Sequence, residues 1–190
     1  PSGAANGLFG SAMVMGDFRL YAQDLLVSQA PLMTKGTIYG RYHTGTAQGL
    51  NTSVFAITRD SSELDTFGYA MVTGNFCEGS YISKRKGDLL IASMPTAGDN
   101  LEGGISIWGW NKSWKNIRDM KSGNPLELAG TALAVGDVDG DGKTDLVYAS
   151  TPLDESWNYL PGKVNVMLDL CSKYGNLKAD ASIQADVEGT

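Results

Sequence analysis

The chain has 190 residues and a formal net charge of −6. An acidic protein repels the phosphate backbone of nucleic acids, so we expect no nucleic-acid partner. No apolar run approaches the length of about 18 residues that a membrane-spanning helix needs, so we expect no transmembrane segment within this chain.

The predicted elements follow a pattern that occurs three times along the chain. Each copy opens with a glycine, has an alanine two residues later, and reaches a second glycine after six residues. The short, mostly apolar run between the glycines predicts a buried first strand. These runs occupy residues 10–16, 68–74 and 130–136.

A second apolar run follows an aspartate in each copy and ends at a proline. The spacing from aspartate to proline is the same in every copy: Asp24 to Pro31, Asp88 to Pro95 and Asp145 to Pro152. Proline has no N–H to donate to a strand ladder, so it ends each predicted second strand.

Two further strands complete each copy. Third strands are predicted at 36–39, 103–108 and 162–167, and fourth strands at 53–57, around 124–128 and at 181–187. Four strands in about 60 residues, repeated, are typical of β-propeller blades. We therefore predict an all-β protein with about three four-stranded blades, at residues 8–60, 66–128 and 129–190. The alternative is a β-sandwich with coincidental internal similarity.

Three blades do not close a ring, because closed propellers have about four to eight. An open arc would leave unpaired strand edges. We therefore expect residues 1–190 to be a segment of a larger, seven-bladed propeller. Its remaining blades would lie in the same precursor or in a cleaved segment of it.

The strongest chemical motif is the segment 137–145 of the third copy, with the sequence DVDGDGKTD. Aspartates at alternate positions in a glycine-containing turn can supply the oxygen ligands that calcium prefers. An EF-hand is excluded because position 12 is Tyr148 and the flanks are predicted strands. The alternative is a solvated acidic turn without metal. The predicted ligands are the carboxylates of Asp137, Asp139, Asp141 and Asp145 and the backbone carbonyl of Lys143.

The repeats resemble the FG-GAP family, which includes integrin α-subunit propellers and the glycosylphosphatidylinositol-specific phospholipase D family. Phe67-Gly68 carries the dipeptide that names the family, as do residues 9–10, and it changes to Ala129-Gly130 in the third copy. The four aspartates above match the family's calcium ligands. The resemblance implies a calcium-stabilised propeller that is extracellular, in the secretory pathway or at the cell surface. The corresponding turns after Asp17 and Asn75 lack the motif, so we expect them not to bind calcium.

Our main functional expectation is a non-catalytic propeller segment of a protein resembling the phospholipase D family, whose hydrolytic domain would lie outside this chain. The alternatives are an integrin α-like adhesion propeller that binds a protein ligand, and a secreted structural scaffold. We expect no active site in this chain. His43 is its single histidine, and no Ser-His-Asp set or nucleophile elbow can be assembled.

Several residues remain as candidates for other roles. Trp108, Trp110 and Trp114 form a candidate ligand surface. We favour the alternative, in which Trp108 packs between blades and the other two shield a sheet edge. Asn51 and Asn111 begin glycosylation sequons and favour a secreted glycoprotein. The two cysteines, at 77 and 171, lie in different copies, which permits a disulfide without implying one. The basic cluster 84–86 is interpreted as a solvated loop tip.

Overall fold

The protein is described here by a computed structural model that covers residues 9–19, 24–29, 35–43, 50–59, 65–76 and 87–184. Within these ranges there is no helix, and the strands form three four-stranded antiparallel sheets. No helix in the described part of the chain is long and apolar enough to cross a membrane. The sheets confirm the all-β prediction with blade-like, four-stranded units.

In each sheet the spatial order of the strands equals their order along the chain. The first sheet contains β1 (Phe9–Gly16), β2 (Asp24–Gln29), β3 (Thr37–His43) and β4 (Leu50–Ile57). The second sheet contains β5 (Met71–Gly74), β6 (Leu89–Ser93), β7 (Gly104–Trp110) and β8 (Trp114–Lys121). The third sheet contains β9 (Ala129–Gly136), β10 (Asp145–Ser150), β11 (Lys163–Met167) and β12 (Ala181–Gln184).

The repeated glycine at the start of each copy has a conformational cause. Gly10, Gly68 and Gly130 all adopt a positive φ, between 86° and 100°, which residues with a side chain rarely adopt. The alanine two residues later donates its backbone N–H to a serine hydroxyl of the second strand in the first two sheets, Ala12 to Ser28 and Ala70 to Ser93. The glycine and the alanine therefore recur because the backbone requires them at these positions, and not only because the strand has a buried face.

The second sheet is buried on both faces because it lies between the other two. Successive residues of a strand point to opposite faces. Leu90 and Trp108 belong to the apolar cluster shared with the first sheet, whereas Ile91 and Ile107 belong to the cluster shared with the third. Every residue of β6 is consequently buried. Face-to-face packing of consecutive sheets is the arrangement of propeller blades.

The fourth strand of the second sheet was predicted in the wrong place. It is β8, which directly follows β7 through the turn 111–113, and not the segment 124–128. That segment is a connection in which Leu126 and Leu128 both have a positive φ, so it cannot continue a ladder. β8 escaped notice because its sequence, WKNIRDMK, is mostly polar, as suits an outer strand with one solvated face.

The three tryptophans considered as a ligand surface are packing residues. Trp108 is 7% exposed and lies with its ring centroid 5.6 Å from that of Phe67. Trp110 and Trp114 are partly buried in an aromatic group that also contains residues 18, 42 and 55. These positions therefore do not form an exposed ligand surface, and the favoured interpretation that Trp108 packs between sheets is confirmed.

Candidate metal site and the surrounding loops

The acidic segment 137–145 connects β9 to β10, the first two strands of the third sheet. The strand pairing ends with Gly136 opposite Asp145, so the hairpin places both ends of the segment next to each other. Gly140 and Gly142 have φ values of 80° and 82°, in the left-handed region that glycine enters without strain. This backbone turns tightly enough to aim alternate side chains inward.

Three of the predicted ligands converge in this hairpin. Asp137, Asp139 and Asp145 each offer a carboxylate oxygen, and these oxygens all lie within 4.8 Å of one another. Asp145 is 1% exposed, while the other two are at the surface. The cluster thus has a buried base and an open mouth.

Backbone N–H groups hold these carboxylates in place. Asp137 accepts hydrogen bonds from the amides of Gly140 and Gly142, at 2.8 and 2.9 Å. Asp145 accepts one from Val138 at 2.7 Å, and a second from residue 169 at 2.8 Å. A carboxylate has about four lone-pair sites, so each retains acceptor capacity for a ligand.

Asp141 and Lys143 form an ion pair with each other, whereas the sequence predicts that both are ligands of one cation. The Asp141 carboxylate lies 2.8 Å from the Lys143 ammonium, and it does not belong to the three-carboxylate group. The Lys143 ammonium also lies 3.3 Å from Asp169. The hydrogen bond between Asp141 and Lys143 lowers the pKa of the carboxyl group and raises that of the amine.

The donor set fits a hard divalent cation. Its oxygens are anionic, they are held by the backbone rather than by a competing cation, and their separations allow one ion to contact several of them.

The equivalent aspartate of the first sheet has a different partner. Asp24 is fully buried and accepts a bidentate interaction from Arg19, at 2.9 and 2.7 Å. The guanidinium carbon also lies 3.8 Å from the centroid of the Tyr42 ring. A covalently attached cation therefore sits where the third sheet has its acidic hairpin. The sequence signal for this pair is the Arg-to-Asp spacing of five residues, which is too common to predict an ion pair by itself.

The second sheet uses a third arrangement. Asp88 accepts a hydrogen bond from the backbone N–H of Asp17 at 2.7 Å, and it returns one to the Asp17 carbonyl at 3.0 Å. The aspartate before this second strand thus joins the first two sheets. The three equivalent aspartates share a position in the repeat and differ in what balances their charge.

At the opposite end of the third sheet, the β10–β11 connection presents an aromatic loop, which we define as residues 151–162. Trp157 and Tyr159 are 63% and 81% exposed, and Leu160 is exposed as well. The Asp154 carboxylate accepts hydrogen bonds from the backbone amides of Ser156 and Asn158 and from the Asn158 side chain. These bonds lower the pKa of Asp154, with the side-chain bond from Asn158 as the largest cause. Sequence reasoning missed this loop because a motif does not reveal exposure.

Residues 129–155 match the family model of the FG-GAP repeat. The match contains the acidic hairpin and both strands that flank it. Integrin alpha-PS2 of Drosophila melanogaster is similar to the chain, with 37% identity over 125 residues, or 64% of the chain. The chain spans 8% of the length of that relative. Together with the three sheets, these matches support an FG-GAP, integrin-like propeller segment. They favour the integrin-like alternative over our main expectation of a protein similar to phospholipase D.

The structure describes some of the remaining candidate residues and not others. Asn111 lies in the exposed turn between β7 and β8, whereas Asn51 lies in β4 with its side chain outside the description. Glycosylation of both stays a prediction. Cys171 is in a disulfide, and the other cysteine of the chain, at 77, lies outside the described residues, as does the cluster 84–86.

Proposed function

We propose that the chain is a cation-stabilised segment of an extracellular, integrin-like propeller that binds a protein ligand. The observation that carries this proposal is the aromatic loop, in which Trp157 and Tyr159 are largely exposed on a hydrogen-bonded turn. Tryptophan and tyrosine are enriched among the residues that dominate binding energy at protein interfaces. The loop belongs to the repeat whose first half matches the FG-GAP repeat.

The loop is ordered before any ligand arrives. Asp154 and Asn158 are joined by both side-chain and backbone hydrogen bonds, and the Leu160 amide donates to the Pro152 carbonyl at 2.8 Å. Leu153 and Tyr159 form an isolated bridge across the loop. Ordering a loop on binding costs free energy, so a loop that is already fixed retains more of its contact energy as affinity.

The surface around the aromatic loop is acidic. The β6–β7 connection approaches it through backbone hydrogen bonds from Leu126 to the Asn100 carbonyl and from Leu153 to the Leu126 carbonyl. The segments 94–103, 123–128 and 151–161 contain no lysine or arginine. Their exposed acidic residues are Asp99 and Glu155, and Asp154 is half-buried. Charge complementarity therefore favours a ligand that presents basic side chains.

In this proposal the cation has a structural role. Calcium would be held by Asp137, Asp139 and Asp145, with Asp141 and the Lys143 carbonyl completing the coordination. The acidic hairpin and the aromatic loop lie at opposite ends of β10, so the ion would not contact the ligand. Binding of calcium to the folded state alone would stabilise the third sheet by mass action.

The proposed location is extracellular or at the cell surface, and the nearest partners are the remaining blades of the same propeller. A disulfide at Cys171 suits an oxidising compartment. Met13 and Met15 of β1, and Ile183 of β12, are exposed apolar side chains on the two sheets at the ends of the arc. Burial against further blades would remove them from water.

The test measures binding of the intact protein to arrayed basic and acidic peptides of equal length. A Trp157→Ala, Tyr159→Ala double variant is compared with Tyr174→Ala, which removes an equally exposed aromatic side chain elsewhere on the third sheet. We expect binding of basic peptides to fall at least about tenfold in the double variant, a loss of about 1.4 kcal/mol. The control is expected to retain binding. Failure of the intact protein to bind any peptide would refute the ligand-binding proposal in favour of the scaffold alternative.

A further inference from the structure

A polar cavity of about 370 Å³ lies between the end of β8 and the face of the third sheet. Ligand pockets have volumes of about 300–1,000 Å³, so the cavity can hold a small molecule. It is distinct from both the acidic hairpin and the aromatic loop. We call it the interblade pocket, and its principal lining residues are Glu127, Tyr148, Lys163, Asn165, Asn176 and Lys178.

The floor of the interblade pocket is a buried, hydrogen-bonded carboxylate. Glu127 is 8% exposed and accepts hydrogen bonds from the Ser122 hydroxyl, from the Asn124 amide at 2.7 Å and from the Ser150 hydroxyl at 3.3 Å. Asn165, 3% exposed, donates in turn to the Ser150 hydroxyl at 2.9 Å. A buried charge is costly unless donors compensate it, so this network fixes the floor in one arrangement.

One wall supplies a permanent donor. Tyr148 is 2% exposed, and burial, followed by the negative charges of Glu127 and Asp180, raises its pKa to about 12. Its hydroxyl therefore stays protonated at physiological pH.

The rim of the pocket is cationic. Lys163 and Lys178 both line it, and neither takes part in an ion pair among the residues that the structure describes. The carboxamide of Asn176 also lines the pocket and offers both a donor and an acceptor. The pocket thus combines two lysine side chains, of which Lys178 also lies near Asp180, with a buried carboxylate that accepts hydrogen bonds.

We propose that the interblade pocket binds an acidic monosaccharide, with the sugar carboxylate between Lys163 and Lys178 and its hydroxyl groups directed towards Glu127 and Asn165. A sugar hydroxyl can donate to a carboxylate and accept from an amide, which a simple anion cannot do. The exocyclic carboxylate of the sugar supplies an anionic partner for the two lysines. A neutral sugar would leave both ammonium groups without a partner, and a metal ion would be repelled by them.

The test titrates the intact protein with glucuronate and with glucose, which differ only in the carboxylate at C6, and follows binding by calorimetry. We expect glucuronate to bind at least about tenfold more tightly than glucose. A Lys163→Ala, Lys178→Ala variant is expected to lose that preference. A Lys35→Ala, Lys115→Ala variant, which removes two exposed lysines outside the pocket, is expected to keep it.

Thermal unfolding of both variants confirms that they are folded before binding is compared. The proposal is overturned if glucuronate does not bind at millimolar concentrations, if both sugars bind equally, or if both lysine variants behave alike. The last result would place the binding elsewhere on the surface.

Discussion

Removal of calcium is expected to destabilise the protein through the acidic hairpin of the third sheet. With calcium at about 100 times its dissociation constant, an ion that binds only the folded state stabilises it by about 2.7 kcal/mol. For a domain of this size that corresponds to roughly 5–10 °C in the melting temperature. The assay is unfolding by urea with calcium and with chelator, followed by intrinsic fluorescence.

The decisive variant is Asp139→Ala, because it removes one of the three converging carboxylates while leaving the buried Asp145 in place. We expect this variant to lose most of the calcium-dependent gain. Asp99→Ala is the matched control, since it removes an exposed aspartate outside the hairpin and should respond to calcium like the wild type. An equal gain in Asp139→Ala, or none in the wild type, would refute the assignment of the site.

The geometry of the hairpin also predicts which of its carboxylates contributes more to calcium affinity. Asp141 pairs with Lys143 rather than with the three-carboxylate group. A cation that recruits Asp141 must first separate it from this ammonium. We therefore expect Asp141→Ala to lower calcium affinity less than Asp139→Ala does, as measured by titration with a competing chelator. The reverse order would mean that the bound hairpin differs from the one described.

Three further perturbations act outside the acidic hairpin. Arg19→Ala should destabilise the protein by about 3 kcal/mol in urea unfolding, with or without calcium, because it removes the bidentate guanidinium partner of buried Asp24. A dependence on calcium would contradict this. Burial raises the pKa of Asp119, but hydrogen bonds from Ser106, residue 116 and residue 59 outweigh it and lower the pKa. A carboxyl group whose pKa is lowered by folding stabilises the protein above its unfolded pKa of about 3.9, and this stability is lost as the pH falls through the folded pKa. Between about pH 5 and 2, the free energy of unfolding should therefore fall more in the wild type than in Asp119→Asn. When the protein is expressed through the secretory pathway, Asn111→Gln should remove one glycan, as measured by mass spectrometry. An unchanged glycan mass would exclude that site.

The sequence predicted most of the fold because each copy repeats residues with a definite backbone role. Positive-φ glycines such as Gly68, the aspartate at or just before the start of each second strand, and the proline after it mark the first two strands of each copy. β8 was misplaced because an outer strand with a solvated face carries a polar sequence that no pattern of buried residues can reveal. Its pairing with β7 comes from a tight turn whose Lys112 has a φ of 62°.

The candidate site was predictable as a set of residues but not as an arrangement. Alternating aspartates indicated Asp137, Asp139 and Asp145, which do converge. The pairing of Asp141 with Lys143 depends on side-chain geometry that spacing alone does not fix. The exposure of Trp157, and the burial of Trp108, depend on which faces the neighbouring sheets cover. Tertiary packing decides both.

Because the three equivalent aspartates have different partners, we expect calcium removal to destabilise the third sheet first. Asp24 has a guanidinium, Asp88 has a backbone amide of the neighbouring sheet, and only the hairpin ending at Asp145 collects carboxylates. Local opening of β9 and β10 should therefore follow chelation, while β1 and β2 keep their pairing. A local loss of about 2.7 kcal/mol corresponds to roughly 100-fold faster amide exchange.

Hydrogen exchange followed by mass spectrometry separates the sheets in a single experiment. The expected result is faster exchange in peptides that cover β9 and β10, with a smaller change in the second sheet, because Leu146 and Tyr148 pack in the cluster that also contains Ile91. An equal increase in all three sheets would contradict a local site, since it would mean that the sheets unfold together. An increase confined to the first sheet would show that Arg19 does not replace the metal, because that sheet would then be the one that depends on calcium.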